Sequence, residues 1–305
     1  MQQINVTRKV LGKIIKTFIL FRNIFYELFC KCNVVKMSVT FQYNGDLLKS
    51  NWGDDINFWF FREIMQDKLL SYDWALLTKW LRKPYISGIG SILTLFDMKN
   101  SIVWGSGIIS TSANLISRPK KILAVRGPLT RKRLLEQGIE CPEVYGDPAL
   151  LLPRYYTPNV VKRYRLGVIP HYSDYDNKIF KHLNNDTDVL MIDIAHYNHW
   201  LDLIDQICSC EVIVSSSLHG LIISEAYSIP NVWMKVGGSV LVDDFKFHDF
   251  FLSLGCDRDA YLIETSFSKI EVLEHATNWK KHELNLNPML EMCPFRIKHN
   301  VQITR

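Results

Sequence analysis

From residue 38 onward, short runs of β-branched and aromatic residues alternate with longer stretches in which apolar side chains recur every three or four positions. Runs of the first kind suit buried strands, stretches of the second suit amphipathic helices, and their alternation predicts an α/β protein with largely parallel sheets. In the first half the pattern predicts strands at residues 39–43, 85–89, 101–104, 121–125 and 143–145, and helices at 54–66 and 129–137, the latter stopped by Gly138. Gly88, Gly90, Gly105 and Gly107 stand just past two of these strands, where tight turns need residues without a Cβ. The stretch PRYYTPNVVKRY at 153–164 holds two prolines and little periodicity, and reads as a linker. Beyond it, strands are expected at 165–169, 189–194, 212–214, 231–234 and 261–263, separated by helices at about 199–209, 219–228 and 244–254, with a last helix at about 268–284 placed to pack back across the linker. The expected domains are therefore residues 37–152 and 165–285, followed by a C-terminal tail at 286–305.

Charge sets the first 36 residues apart. They carry seven basic groups (Arg8, Lys9, Lys13, Lys16, Arg22, Lys31, Lys36) against one acid, Glu27, while the remaining 29 basic and 30 acidic residues nearly cancel. A body without net positive charge argues against a nucleic-acid binder. The basic stretch alternates cations with Leu, Ile and Phe at near-helical spacing, but its longest uninterrupted apolar run is 18–21, too short to span a bilayer. It also lacks the continuous apolar centre and cleavage site of a signal peptide. Two readings lead: an upstream extension preceding a true start at Met37, or a basic amphipathic helix that touches an anionic membrane surface through residues 8–36. An ordinary core helix is the third. The seven cysteines are scattered and form no C-x-x-C pair, which suggests neither a disulfide framework nor a zinc site and fits a reducing cytoplasm.

Candidate chemistry gathers at strand ends. In CEVIVSSSLHGLIISEAYSIPNVWMK, at 210–235, a buried strand gives way through Ser215, Ser216 and Ser217 to a helix that opens on Leu218, His219 and Gly220. First-turn N–H groups and the helix dipole favour an anion there, beside an imidazole. Arg126, in VRGPLT, closes another strand, and its guanidinium could grip a carboxylate or phosphate with two parallel hydrogen bonds or form a structural salt bridge. Asn51, Gly53 and Asp54 stand at the start of the first helix, where Asp54 either binds a sugar hydroxyl or caps the helix. Asp147, in Gly146-Asp147-Pro148, reads as a turn-fixing residue, and Lys246 opens the 244–254 helix at the same edge as His219, with His248 on a helix face. No spacing implies a divalent metal.

Taken in order, NWGDDIN (51–57), GIGSIL (88–93), WGSG (104–107), VRGPLT (125–130), GDPALLLP (146–153) and SSSLHGLIISEA (215–226), with the Lys246 helix, resemble the polysaccharide pyruvyltransferase family. The resemblance covers residues 38–255 and implies two Rossmann-like domains facing across a cleft, as in GT-B glycosyltransferases. It implies no cofactor. Phosphoenolpyruvate would be the donor, and a glycan of a cell-surface polysaccharide, carried on a lipid, the acceptor, with the enzyme in the cytoplasm at the inner face of the membrane. The first domain would hold the acceptor through Asn51, Gly53, Asp54, Gly105 and Gly107, and the second the donor through Ser216, Ser217, Leu218, His219, Gly220 and Lys246, with Arg126. His219 would be the acid that protonates the donor's methylene carbon, while Arg126 and Lys246 hold donor charge. Many members of the family have Arg where this chain has Ser217, and Lys246 or Lys235 could compensate. Rival readings are a GT-B glycosyltransferase with a nucleotide-sugar donor and a non-catalytic assembly partner.

Overall fold

The computed structural model describes residues 2–37, 40–41, 47–48, 51–237, 243–283, 285–299 and 301–304. The chain opens with helix α1 (Gln2–Phe29) and strand β1 (Cys32–Lys36), followed by a small hairpin of β2 (Thr40–Phe41) and β3 (Leu47–Leu48). The first half continues with α2 (Trp52–Ile64), β4 (Lys68–Ser71), α3 (Leu76–Trp80), β5 (Tyr85–Ser87), β6 (Ser101–Trp104), β7 (Lys121–Ala124) and α4 (Pro128–Glu136). Its sheet runs β4-β1-β5-β6-β7 with every pairing parallel. The second half holds β8 (Tyr164–Ile169), β9 (Val189–Met191), α5 (Trp200–Cys208), β10 (Cys210–Ser215), α6 (Leu218–Ala226), β11 (Asn231–Val236), α7 (Phe245–Ser253), β12 (Tyr261–Ile263) and α8 (Lys269–Ala276). That sheet, β12-β11-β10-β8-β9, is also wholly parallel, and α9 (Asn287–Glu291) comes last. Two parallel sheets with helices bear out the α/β expectation.

The separation of residues 1–36 from the fold is not borne out. Strand β1 lies between β4 and β5, Val35 has no exposed surface, and the expected first strand at 39–43 is instead the short β2, its remaining residues lying outside the described set. Lys36 hides the strand from a charge count. Its ammonium sits 2.9 Å from Asp73 and 4.1 Å from the centre of the Phe96 ring, which satisfies the cation as the strand is buried. Helix α1 is fixed as well: Ile19 and Asn23 are buried, and Asn23 Nδ2 donates to the Trp74 carbonyl at 3.3 Å. Glu27, the one acid of the stretch, accepts from the Leu77 and Thr78 N–H groups at 3.0 and 2.6 Å. It thereby caps α3, whose N-cap residue Ala75 has no side-chain acceptor.

The C-terminal tail, described at residues 286–299 and 301–304, packs against the first half. Leu286, Met289, Phe295 and Ile303 are buried, Trp104 Nε1 donates to the Met289 carbonyl at 2.9 Å, and Phe295 packs on Phe61 and Trp104. The chain then bridges Met65 through Ile297, and Ile303 N reaches the Tyr155 carbonyl at 2.7 Å. The core of the first half is therefore closed by the last residues. The final long helix expected at 268–284 is the shorter α8, after which Trp279 Nε1 and His282 Nδ1 reach the buried Glu225 carboxylate at 2.9 and 3.0 Å.

Contacts between the halves begin at α2. Asn51 caps it by accepting from Gly53 N at 3.2 Å, and Trp52, Ile56, Phe60 and Ile64 form its buried stripe. Trp52 donates from its backbone to Ile194 O at 2.8 Å and from Nε1 to Trp200 O at 2.7 Å, while Tyr197 donates to Asp55 Oδ2 at 2.5 Å. One apolar cluster runs through both halves, with Phe60 and Trp104 from the first and Ile222 and Phe250 from the second.

Candidate functional site

Chain segments leaving the carboxyl ends of both sheets meet around a cavity of about 470 Å³. This is where α/β sheets present backbone turns and helix N-termini to a ligand. From the first half, Asn51 and Asp54 line it at the start of α2, together with Ser91 after β5. From the second come His171 after β8, Ser217 and His219 after β10, and Lys246 in the first turn of α7.

Three serines wire the turn that carries His219. Ser215 Oγ accepts from Ser217 N and approaches Ile169 O, both at 3.0 Å, and Ser216 Oγ accepts from His171 N at 2.8 Å. The exits of β10 and β8 are thus tied together. A Cβ on Gly220 would fall 2.4 Å from Ser215 Oγ, so glycine is required by this close approach rather than by a ligand. Ser217 occupies the N-cap of α6 but its side chain makes no capping bond, so among the described residues the first-turn N–H groups have no N-cap acceptor.

His219 is held from the opposite side by α2. A Cβ added to Gly53 would lie 2.1 Å from His219 Nδ1, so the backbone of one half rests directly on the imidazole of the other. The residue is only partly buried, yet Nε2 is shut off from solvent and meets no hydrogen-bond partner among the described residues. Burial, and then the charges of Arg126 and Lys246, push its pKa down to about 3, so the free site holds a neutral imidazole. Lys246 is pushed down to about 8 by burial and by Arg126, against the pull of Asp54 and Asp243. Asp54, which accepts from Asn51 Nδ2 at 3.2 Å, is pushed up to about 6 by burial and then by Asp55. Burial and Lys246 also lower the pKa of His171. Every one of these groups is biased toward its neutral form, and an entering anion would restore positive charge to the imidazole and the ammonium.

Arg126 does not meet the expectation of a direct ligand grip. Its side chain is fully buried and donates from Nε to Asp249 Oδ2 at 3.1 Å, from one terminal nitrogen to Ser91 Oγ at 2.5 Å, and from the other to Ile108 O at 2.7 Å. The salt-bridge alternative is what the structure adopts, although the charge still reaches His219 and Lys246. Gly105 and Gly107 are likewise packing positions. A Cβ on Gly105, whose φ is +97°, would strike Pro148 at 2.3 Å, and one on Gly107 would strike the Arg126 guanidinium at 2.4 Å. Neither lines the cavity.

Other residues fall as the sequence suggests. Asp147 fixes its turn by accepting from Ala149 N at 2.9 Å, and His248 lies on the face of α7, paired with Asp257 at 2.8 Å. Lys235 is engaged by Asp244 at 2.8 Å and does not line the cavity. His171 and Ser91 were missed. His171 follows a clear strand by two residues, in Ile169-Pro170-His171, so the strand-end reasoning that found His219 applies to it equally.

Comparison with known proteins agrees with this geometry. The model of the family described as polysaccharide pyruvyl transferase matches residues 46–237, from just before α2 to the end of β11, and takes in Asn51, His171 and His219 but not Lys246. A mimiviral relative, "Uncharacterized protein L143" of Acanthamoeba polyphaga mimivirus, is 34% identical over 185 residues, 58% of this chain and 63% of that protein. The chain thus spans less than two thirds of that relative's length. The succinoglycan biosynthesis protein ExoV of Rhizobium meliloti (strain 1021) is 28% identical over 250 residues, covering 78% of this chain and 72% of the relative. With a family match over more than half its length, converging on the turn that bears His219, this chain belongs to the polysaccharide pyruvyl transferase family.

Proposed function

We propose that the protein transfers pyruvate from phosphoenolpyruvate to two hydroxyls of a sugar in a cell-surface polysaccharide precursor, forming a cyclic ketal and releasing phosphate. One observation carries the reading: a buried His219 Nε2 that has no hydrogen-bond partner among the described residues, beside Lys246, at the N-terminus of α6, in a cavity lined from both halves. The two halves act as the facing domains of a GT-B-like enzyme, with the donor on the second and the sugar on the first. The donor's anionic groups sit against the first-turn N–H groups of Leu218, His219 and Gly220 and against Lys246, which supplies the cation that Ser217 lacks.

The chemistry follows from the charge balance. A bound dianion raises the pKa of His219, so the imidazole enters the reaction protonated through Nε2 and delivers that proton to the donor's methylene carbon. Positive charge develops on the adjacent carbon, where one sugar hydroxyl attacks and its proton is accepted by Asp54, whose pKa of about 6 suits a base near neutral pH. Phosphate then departs, taking the proton held by Asp54 as its C–O bond breaks, and the second hydroxyl closes the ring, returning its proton to His219. Asn51 holds Asp54 in place, and the buried Arg126 acts through its charge without touching the donor. The name of the Rhizobium relative, which refers to succinoglycan biosynthesis, supports an acceptor drawn from a polysaccharide precursor.

The test is phosphate release from phosphoenolpyruvate with a glycan acceptor, with the product gaining a carboxylate by mass spectrometry. His219→Gln is expected to lower turnover on the order of 10² to 10⁴ while donor binding stays within a few fold. Normal turnover in that variant, or transfer from a nucleotide sugar in place of phosphoenolpyruvate, overturns the reading.

A further inference from the structure

Among the described residues, the part of α1 from Ile14 to Phe29 buries one face and leaves the other uncovered. Ile19, Asn23 and Tyr26 turn toward the domain, whereas Ile14, Phe18, Phe21, Phe25, Leu28 and Phe29 remain 54% to 72% exposed. At helical geometry these six fall within about 100° of the circumference, a continuous apolar stripe on the solvent side. Helix α3, seated on Glu27, carries a further exposed ring, Trp80 at 78%, with the exposed Leu81 beside it. Isolated exposed apolar residues are ordinary, but a stripe of this length on packed, positioned elements marks an interaction surface.

Its border is positive. Lys31 just past the end of α1 and Lys79, Arg82 and Lys83 around α3 are exposed, and Arg22 stands on the shoulder of the stripe. Glu27, the one acid of the first 36 residues, points away from the stripe and is committed to the two N–H groups of α3. Between α1, α2 and β4 lies a further cavity of about 420 Å³ whose walls carry four cations, Arg22, Arg62, Lys68 and Lys298, against one acid, Asp67. A second copy of this chain would bring the same cations face to face, which like-charge repulsion opposes. Among the described residues no helix is long and apolar enough to cross a membrane, so the stripe is suited to lie along a surface rather than to span it.

We propose that this face docks the protein on an anionic lipid surface, with the aromatic stripe sunk about 5–10 Å into the headgroup boundary and the cations on the headgroups. Because α1 is bolted to the first sheet, the surface fixes the orientation of the whole fold. The inference rests on α1 and α3 and is independent of the reaction assigned above.

Sedimentation of the full chain with vesicles tests it, comparing phosphatidylcholine alone with a mixture containing about one third phosphatidylglycerol. Binding is expected to the anionic vesicles, at least tenfold weaker to the neutral ones, and weakened by raised salt. Phe21→Glu with Phe25→Glu should reduce it tenfold or more at unchanged melting temperature, and Trp80→Glu, on the neighbouring element, should act in the same direction. The proposal fails if the chain does not bind, if neutral and anionic vesicles bind alike, or if the folded variants bind as the parent does. A concentration-dependent dimer dissolved by the same substitutions, without vesicle binding, assigns the face to a second copy and also overturns it. Phosphate release on a soluble acceptor, measured in parallel, reports the chemistry separately.

Discussion

Arg126 and Asp249 form a 3.1 Å ion pair in which neither side chain has any exposed surface, and it joins the turn after β7 to the middle of α7. Asp249 accepts in addition from the backbone N–H and hydroxyl of Thr130, at 2.8 and 2.7 Å. A Cβ on Gly127 would overlap the Asp249 carbonyl at 1.8 Å. The pair thus works as a buried rivet between the halves of the cavity, and it holds the cation whose field adds to burial in keeping His219 neutral.

Removing one partner of such a pair strands the other charge. Asp249→Ala is therefore expected to destabilise the protein by about 3 to 5 kcal/mol. Urea denaturation measures this, and a loss below about 1 kcal/mol would show that the pair is not what fastens the halves together.

Gly53 gives a sharper local test. Alanine there cannot coexist with the imidazole where it stands, since the new methyl would lie 2.1 Å from Nδ1. Either α2 or the ring must shift, so Gly53→Ala is expected to lower kcat at least about tenfold while costing about 1–3 kcal/mol of stability. Wild-type kcat in the alanine variant would mean that the placement of the ring is not needed for turnover.

Lys246 sets the alkaline limit. Its ammonium, with a pKa near 8 in the free site, is positive below that pH and loses its charge above it, so kcat/KM for the anionic donor should fall as pH rises through about 8. Lys246→Arg should remove that limb, because a guanidinium keeps its charge throughout the range. A pH profile that is flat in the parent, or unchanged in the arginine variant, assigns the limb elsewhere.

A chain begun at Met37 lacks β1, an inner strand of the first sheet, and α1, which supplies the cap of α3. It is expected to lose cooperative unfolding by circular dichroism. A soluble, cooperatively folded protein from that start would contradict the placement of β1.

What the sequence disclosed and what it concealed divide along the distance over which each feature is decided. Strands such as β8 and β10 were legible because their apolar runs are local, and His219 because a strand, a serine turn and a helix start follow one another directly. Strand β1 was not, since Lys31 and Lys36 gave it the charge of a solvated segment, and the Asp73 carboxylate that neutralises Lys36 lies 37 residues away. Arg126 is the same case at greater range. Nothing near it reveals that its acceptor, Asp249, comes 123 residues later. Gly105 and Gly107 were legible as glycines that must be glycine, but whether the space above each holds a ligand, Pro148 or Arg126 is settled only in three dimensions.

The return of residues 286–304 to the first half bears on how the protein is made. The Trp104 indole waits for a carbonyl 185 residues further on, and Phe61 and Trp104 lack the cover of Phe295 until that residue has also left the ribosome. The second half carries its own central strands and helices and can assemble while translation is still under way. The half synthesised first is therefore the half completed last, and its unfinished core is the surface a chaperone would have to shield in the interval.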